Sequence, residues 1–231
     1  MAVSSGLVPK KVAARVALVG LDAGAAAIMR DSFKQFGIET REMPLADADR
    51  LGREKFEGCV LRLDDHAEAV LNTARTSRSN RRVVVYGICQ SAPQAMRFSR
   101  FGINAVLRDP VERQDALKVV RATHLLVIHE LRCYVRIPLV ANVNIEAGKN
   151  TVKATTQEVS GGGMSVHADS MLSIGEAVRV VFELPNRSSL ALRGNVCWTR
   201  EHDSLFGVRF EADEPGREQV REWIDEYLDI Q

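Results

Sequence analysis

The chain has 231 residues, of which 45% are hydrophobic and 26% charged, with a formal net charge of +1. That length exceeds a typical single domain and predicts two. The near-neutral balance excludes a globally basic chain drawn to nucleic acid or to an anionic membrane, so any anion site must be local.

The N-terminal stretch "MAVSSGLVPKKVAARVALVG" sets basic residues before an apolar run, superficially like a secretory signal. But "VALVG" is too short for the apolar region of a signal and runs straight into "LDAG", so it reads as a first strand. From about Arg15 to His129, short apolar runs then alternate with amphipathic stretches. "RVALVG", "IETREM", "GCVLRLDD", "RRVVVYGI" and "INAVLRDP" have strand character. Between them, "AAAIMRDSFKQFG", "LADADRLGREKF", "HAEAVLNTARTS" and "APQAMRFSRFG" have helical spacing, and "VERQDALKVVRATHLLVIHE" closes the half as a long helix ending near Glu130. This (βα)5 order predicts a doubly wound parallel sheet, because parallel strands need crossovers.

After Leu131 the rhythm changes. "LVANVNIEA", "TVKATTQEV", "MSVHAD", "EAVRVVFELP", "LALRGNVCWTRE" and "LFGVRFEA" are strand-like and split by Gly, Asn, Pro and Ser turns, with no long crossover helix. They predict antiparallel strands in a small barrel or sandwich. "EPGREQVREWIDEYLDI" closes the chain as a helix with Val220, Trp223, Ile224, Tyr227 and Leu228 on one side. The expected domains are residues 13–128 and 129–231, joined without a Gly/Ser linker. No apolar run approaches the roughly 20 residues of a bilayer-crossing helix. The cysteines Cys59, Cys89, Cys133 and Cys197 are scattered with no CxxC pair, which favours reduced thiols and a cytoplasmic location.

Two stretches carry chemistry. "RCYVRIP" places Arg132 and Arg136 four residues apart, a spacing that keeps them on one face of a strand or a helix. Arginine grips phosphate through a planar fork and pairs bidentately with the O6 and N7 edge of guanine. In "EVSGGG", Glu158 can accept from a base amine and Ser160 can donate or accept, while Gly161, Gly162 and Gly163 allow close approach or positive φ. R-x-x-x-R before a first strand, followed by [D/N]-x-S-x-x-G after the second, resembles the signature of the PilZ domain. Arg132 and Arg136 match its first motif; Glu158, Ser160 and Gly163 match its second, with Glu158 where the family has Asp or Asn. The resemblance runs from about Leu131 to the C-terminus. It implies a six-stranded antiparallel barrel with a C-terminal helix that binds cyclic di-GMP without altering it. The extra methylene of Glu158 implies weaker binding, which Glu158→Asp should tighten.

The first half resembles a response-regulator receiver. Such domains set acids after the first strand, a phosphoacceptor Asp after the third, Ser or Thr after the fourth and Lys after the fifth. Here Asp22 follows the first strand and Asp64 stands at the acceptor position, but Gly87 replaces the hydroxyl and Arg108 the lysine. In-line phosphoryl transfer needs all of these placed, so the expectation is a pseudo-receiver used for dimerisation or partner docking.

Other signals carry less. "GLDAG" is not G-x-G-x-x-G, no P-loop Lys-Ser/Thr follows Gly163, the five histidines lack ligand spacing, and Ser160 has no nucleophile elbow. Trp198 and Trp223 are most simply core residues, though Trp198 could edge a ligand surface. The expectation is therefore a non-catalytic effector without cofactor or metal. Its ligand is cyclic di-GMP, bound at the interdomain arginine segment and the 158–163 turn, and binding changes domain orientation. Its expected partners are an unidentified protein and a second copy of itself, with no nucleic acid and no membrane. The rival readings are a ligand-independent adaptor and a phosphorelay regulator that accepts phosphate on Asp64.

Overall fold

The computed structural model describes residues 12–228, so the reading of the first eleven residues and the end of the closing helix lie outside the described residues. The chain divides into two compact units whose boundary in sequence falls between Leu131 and Arg132.

The first unit contains β1 (Arg15–Val19), α1 (Ala23–Lys34), β2 (Glu39–Met43), α2 (Arg50–Arg53), β3 (Gly58–Arg62), α3 (Ala67–Thr76), β4 (Val84–Cys89), α4 (Ala92–Met96), β5 (Ala105–Arg108) and α5 (Arg113–Tyr134). Its strands form one parallel sheet in the order β2-β1-β3-β4-β5. The central strands are buried almost throughout, whereas β2 and β5 expose charged residues at the two edges. A sheet covered on both faces needs continuous apolar strands, and charged edges discourage further pairing. Cys59 shows how dry this interior is: burial pushes its thiol up to about 12.

Two of the expected helices are shorter than their sequence patterns. "LADADRLGREKF" forms a 3-10 turn at Leu45–Asp47 followed by the four-residue α2. Asp47, Asp49 and Gly52 all have low helix propensity, so the run breaks up. "APQAMRFSRFG" splits into α4 and a 3-10 turn at Ser99–Phe101, which buries Phe98 and Phe101 three residues apart and stops at Gly102 with φ 65°. The long helix is longer than expected. It runs through Leu131 and Arg132 to Tyr134, because no glycine or proline interrupts it before Val135 and Pro138.

The second unit contains β6 (Ile137–Pro138), β7 (Asn142–Ala147), β8 (Asn150–Ser160), β9 (Gly163–His167), β10 (Ala177–Glu183), β11 (Ser189–Arg200), β12 (Leu205–Phe210) and α6 (Gly216–Leu228). Six strands run in the order β8-β7-β10-β11-β12-β9, and β9 pairs back onto β8, so the antiparallel sheet closes into a barrel. β6 adds two residues beside β8. Alternation explains the closure: β11 is exposed and buried in strict turn from Ser189 to Val196 and sends Leu190, Leu192 and Val196 inward. Each such side chain contributes about 1.5–3 kcal/mol when fully buried. α6 buries Val220, Trp223, Ile224 and Leu228, with Tyr227 only partly covered, and packs on β8 and β11. Among the described residues no helix is long and apolar enough to cross a membrane.

Candidate functional site

Two β-bulges shape the outer wall of the barrel. On β8 the register against β9 shifts between Thr156 and Glu158, so Gln157 is the extra residue. Thr156 stays fully buried, with its Oγ1 accepting from Ala141 N at 2.8 Å and donating to Leu139 O. The bulge then turns Glu158 outward instead of into the core. On β11 the register against β12 shifts between Val196 and Trp198, with Cys197 extra. Trp198 is thereby carried to the outside, where its indole lies across Gly207. A Cβ on Gly207 would overlap Trp198 Nε1, so only glycine leaves room for the ring there. Trp198 is thus not a core residue, unlike Trp223, which is buried on the inner face of α6.

Between the bulges lies an open cavity of about 420 Å³. Arg136 and Pro138 form one side, Gln157, Glu158 and Ser165 the floor, and Trp198, Arg200 and Leu205 the other side. The Arg200 guanidinium carbon lies 5.5 Å from the Trp198 ring centroid, within cation–π range. Arg136 Nη1 lies 3.8 Å from Glu158 Oε2, with the two side chains 63% and 44% exposed. A solvated pair this long is worth only about 0–1 kcal/mol and yields readily to a better anion.

The other motif residues gather at the hairpin joining β8 to β9. Ser160 Oγ donates to Gly163 O at 3.0 Å and closes the two-residue turn. Gly161 O accepts from Arg217 Nε at 3.2 Å, and Gly162 O from Phe210 N at 3.0 Å. Of the two uses the sequence left open for these glycines, positive φ is adopted by none of the three. Gly163 is required for a different reason: a Cβ there would overlap the Val208 carbonyl on β12. Arg132 lies in the last turn of α5, and its Nε donates to Asp225 Oδ1 of α6 at 2.6 Å. The four-residue spacing of Arg132 and Arg136 therefore spans the end of a helix, and each guanidinium has its own carboxylate. Glu158 and Ser160 link the two clusters, since both stand on the outer face of β8, about 7 Å apart along the strand.

The first unit has its own charged corner at the C-terminal ends of β1, β3 and β5. Asp22 caps α1, its Oδ1 accepting from Ala25 N at 2.9 Å. Arg62, at the end of β3, donates to both Asp22 and Asp109. The Ala25 N–H and then the Arg62 guanidinium hold the Asp22 carboxyl below its ordinary range. Asp64 accepts from His66 N at 2.9 Å and so shapes the turn into α3. Gly87 is packed under Leu63, whose Cδ1 would stand 2.5 Å from a Cβ at that position. Arg108 is exposed on the edge strand. Among the described residues no group of three or more His, Cys, Asp or Glu side chains is placed to hold a metal ion.

Sequence reasoning missed Arg62, Ser165, Arg200 and Asp225, and held Trp198 only as an option. The bulges did leave a trace. Buried positions at Ala154, Thr156 and Val159 break the alternation of β8, and "VCWT" breaks that of β11.

Residues 130–226 match the family model for the PilZ domain. No curated protein sequence matches the chain. Among solved structures, the first unit is similar to the chemotaxis response regulator CheY4 of Vibrio cholerae, with 10% identity, a TM-score of 0.43, and coverage of 48% of this chain and 98% of that one. The PilZ domain of CeSA from a cellulose-synthesizing bacterium is similar at 20% identity and a TM-score of 0.34, covering 41% of this chain and 98% of that one. The Bacillus subtilis inhibitor of motility MotI/DgrA is similar at 20% identity and a TM-score of 0.35, covering 42% of this chain and 51% of that one. The match to the PilZ domain thus spans residues 130–226 of this chain, after the unit with the parallel sheet.

Proposed function

We propose that the chain is a non-catalytic effector that binds cyclic di-GMP on the outer wall of its barrel. The observation that carries this reading is the PilZ match over a segment in which Arg136 and Glu158 border an open cavity with Trp198 and Arg200. A guanine has a face for the Trp198 indole, and such stacking is worth about 1–3 kcal/mol per base. Its O6 and N7 edge and the phosphates suit the Arg136 and Arg200 forks, and its amines suit the Glu158 carboxylate. Charge-assisted contacts of this kind, at about 1.5–3 kcal/mol each, exceed the exposed Arg136–Glu158 pair they replace. Calorimetric titration with cyclic di-GMP tests the reading, with cyclic di-AMP and GTP as comparisons. Saturable binding to the first alone is expected; no binding would overturn it.

The first unit we read as a docking module that works without phosphorylation, acting with a protein partner or a second copy of the chain in the cytoplasm. Arg62 supports this, because its guanidinium engages Asp22, the acid after the first strand where a receiver would hold a divalent ion. Small phosphodonors should leave Asp64 unlabelled; stoichiometric labelling would favour the phosphorelay reading. Arg132 belongs to α5 as well as to the ligand motif, so binding there is proposed to change the relation of the two units. Scattering curves with and without saturating ligand should differ.

A further inference from the structure

The glycine hairpin is flanked by cations that neither motif includes. α6 carries Arg217, Arg221 and Asp225 at four-residue spacing, a single stripe of the helix. The Arg217 donors are committed to carbonyls: Nε to Gly161 O at 3.2 Å, and Nη1 to Glu211 O at 3.1 Å and Ala212 O at 2.9 Å. Asp225 is committed to Arg132 at 2.6 Å. Arg221, between them on the stripe, is exposed and has no acidic partner among the described residues. Its Cγ lies 3.5 Å and its Nε 4.0 Å from the point where a Cβ on Gly161 would stand, and the Arg132 carbonyl is 4.0 Å from the same point.

Arg217 and Arg221 thus flank the hairpin, and the Arg132 guanidinium is held one helical turn further along the same stripe, on Asp225, the one carboxylate there. Burial first, and then the neighbouring Arg221 charge, pull the Arg217 guanidinium below its ordinary value, as expected where like charges crowd with too little counter-charge. Arginine forks pair bidentately with phosphate as they do with carboxylate, so a phosphodiester can take the place of the Asp225 carboxylate.

We propose that Arg132 and Arg221 form a phosphate subsite over the Gly161 turn, and that the Asp225 carboxylate occupies it as a resident anion until a ligand phosphodiester displaces it. The proposal rests on the reading of the second unit as a cyclic di-GMP receptor, and assigns one of that ligand's phosphates to α6. Displacement releases Asp225, so ligand binding is felt by the C-terminal helix as well as by the barrel wall.

Calorimetric titration of the full chain with cyclic di-GMP tests it in three forms: the wild type, Arg221→Gln and Asp225→Asn. Arg221→Gln should bind about tenfold more weakly, the loss of one charge-assisted contact. Its melting temperature should be unchanged, because no acid is left behind. Asp225→Asn should bind about three- to tenfold more tightly, since a partly buried ion pair no longer competes. If the wild type binds and either change is missing, the subsite is overturned and the receptor reading stands. If neither the wild type nor Asp225→Asn binds, both are overturned. Thermal melting of Asp225→Asn guards against misfolding, and Asp225→Glu, which keeps the charge, should restore wild-type affinity.

Discussion

Each unit of this chain brings guanidiniums and carboxylates together, but in different proportion. In the first unit one guanidinium, Arg62, is shared by two acids, Asp22 and Asp109, and the fourth-strand position beside them is filled by Leu63 over Gly87. In the second, Arg132 and Arg136 each hold one carboxylate, and Arg136 holds its own at 3.8 Å in solvent. In the first corner both acids are engaged by the one guanidinium, and the Gly87 position is tightly packed under Leu63. In the second, Arg132 is paired closely with Asp225, but Arg136 is paired only loosely and opens onto a cavity. A corner whose two acids already share a guanidinium suits a scaffold; solvent-exposed cations beside a half-buried indole suit an anionic aromatic ligand.

Substitutions can break or sharpen this contrast. The largest expected effect is Arg136→Ala, which removes the open site's central cation and should weaken cyclic di-GMP binding about 100-fold by calorimetry, as a fork with two charge-assisted contacts is lost. In the closed corner, Gly87→Thr restores the hydroxyl a receiver would carry but drives a side chain into Leu63. It should destabilise the first unit by about 1–3 kcal/mol in denaturant unfolding, and no loss of stability would mean the corner is less closed than described. Trp198→Ala should cost about tenfold in affinity with little change in stability, since the ring is only half-buried and lies outside the core. Glu158→Asp should tighten binding a few-fold by shortening the arm that pairs with Arg136; equal or poorer affinity would show that the longer side chain is accommodated.

The smallest effect concerns pH. The lowered Asp22 carboxyl adds stability in full above its ordinary value of 3.8, and that contribution is lost as pH falls through the lower folded value. Arg62→Gln removes one of the groups that hold it down and should flatten this acid limb in melting curves recorded against pH.

The architecture was legible because both halves write their periodicity plainly. The apolar runs of β1, β3 and β4 with helical stretches between them specify a parallel sheet, and the alternation of β10 and β11 specifies a barrel wall. Arg136 and Glu158 were legible as a motif. Trp198 and Arg200 were not, because a single extra residue at Cys197 decides which face they occupy, and that depends on pairing with β12. Arg62 and Asp225 were hidden for a related reason. Their partners are 40 and 47 residues away for Arg62 and 93 away for Asp225, so only the closed fold brings them together. The helix end near Arg132 was misjudged because the chemistry of its sequence suits either conformation until Pro138.

The placement of the indole across Gly207 has a practical outcome. The chain has two tryptophans, and Trp223 is shut away at 7% exposure while Trp198 faces the cavity. Occupancy of the cavity should therefore be visible in the emission of the unlabelled chain, as quenching of its solvent-facing fluorophore over a constant background from the other. Trp198→Phe should silence that optical signal, and Trp223→Phe should leave it intact.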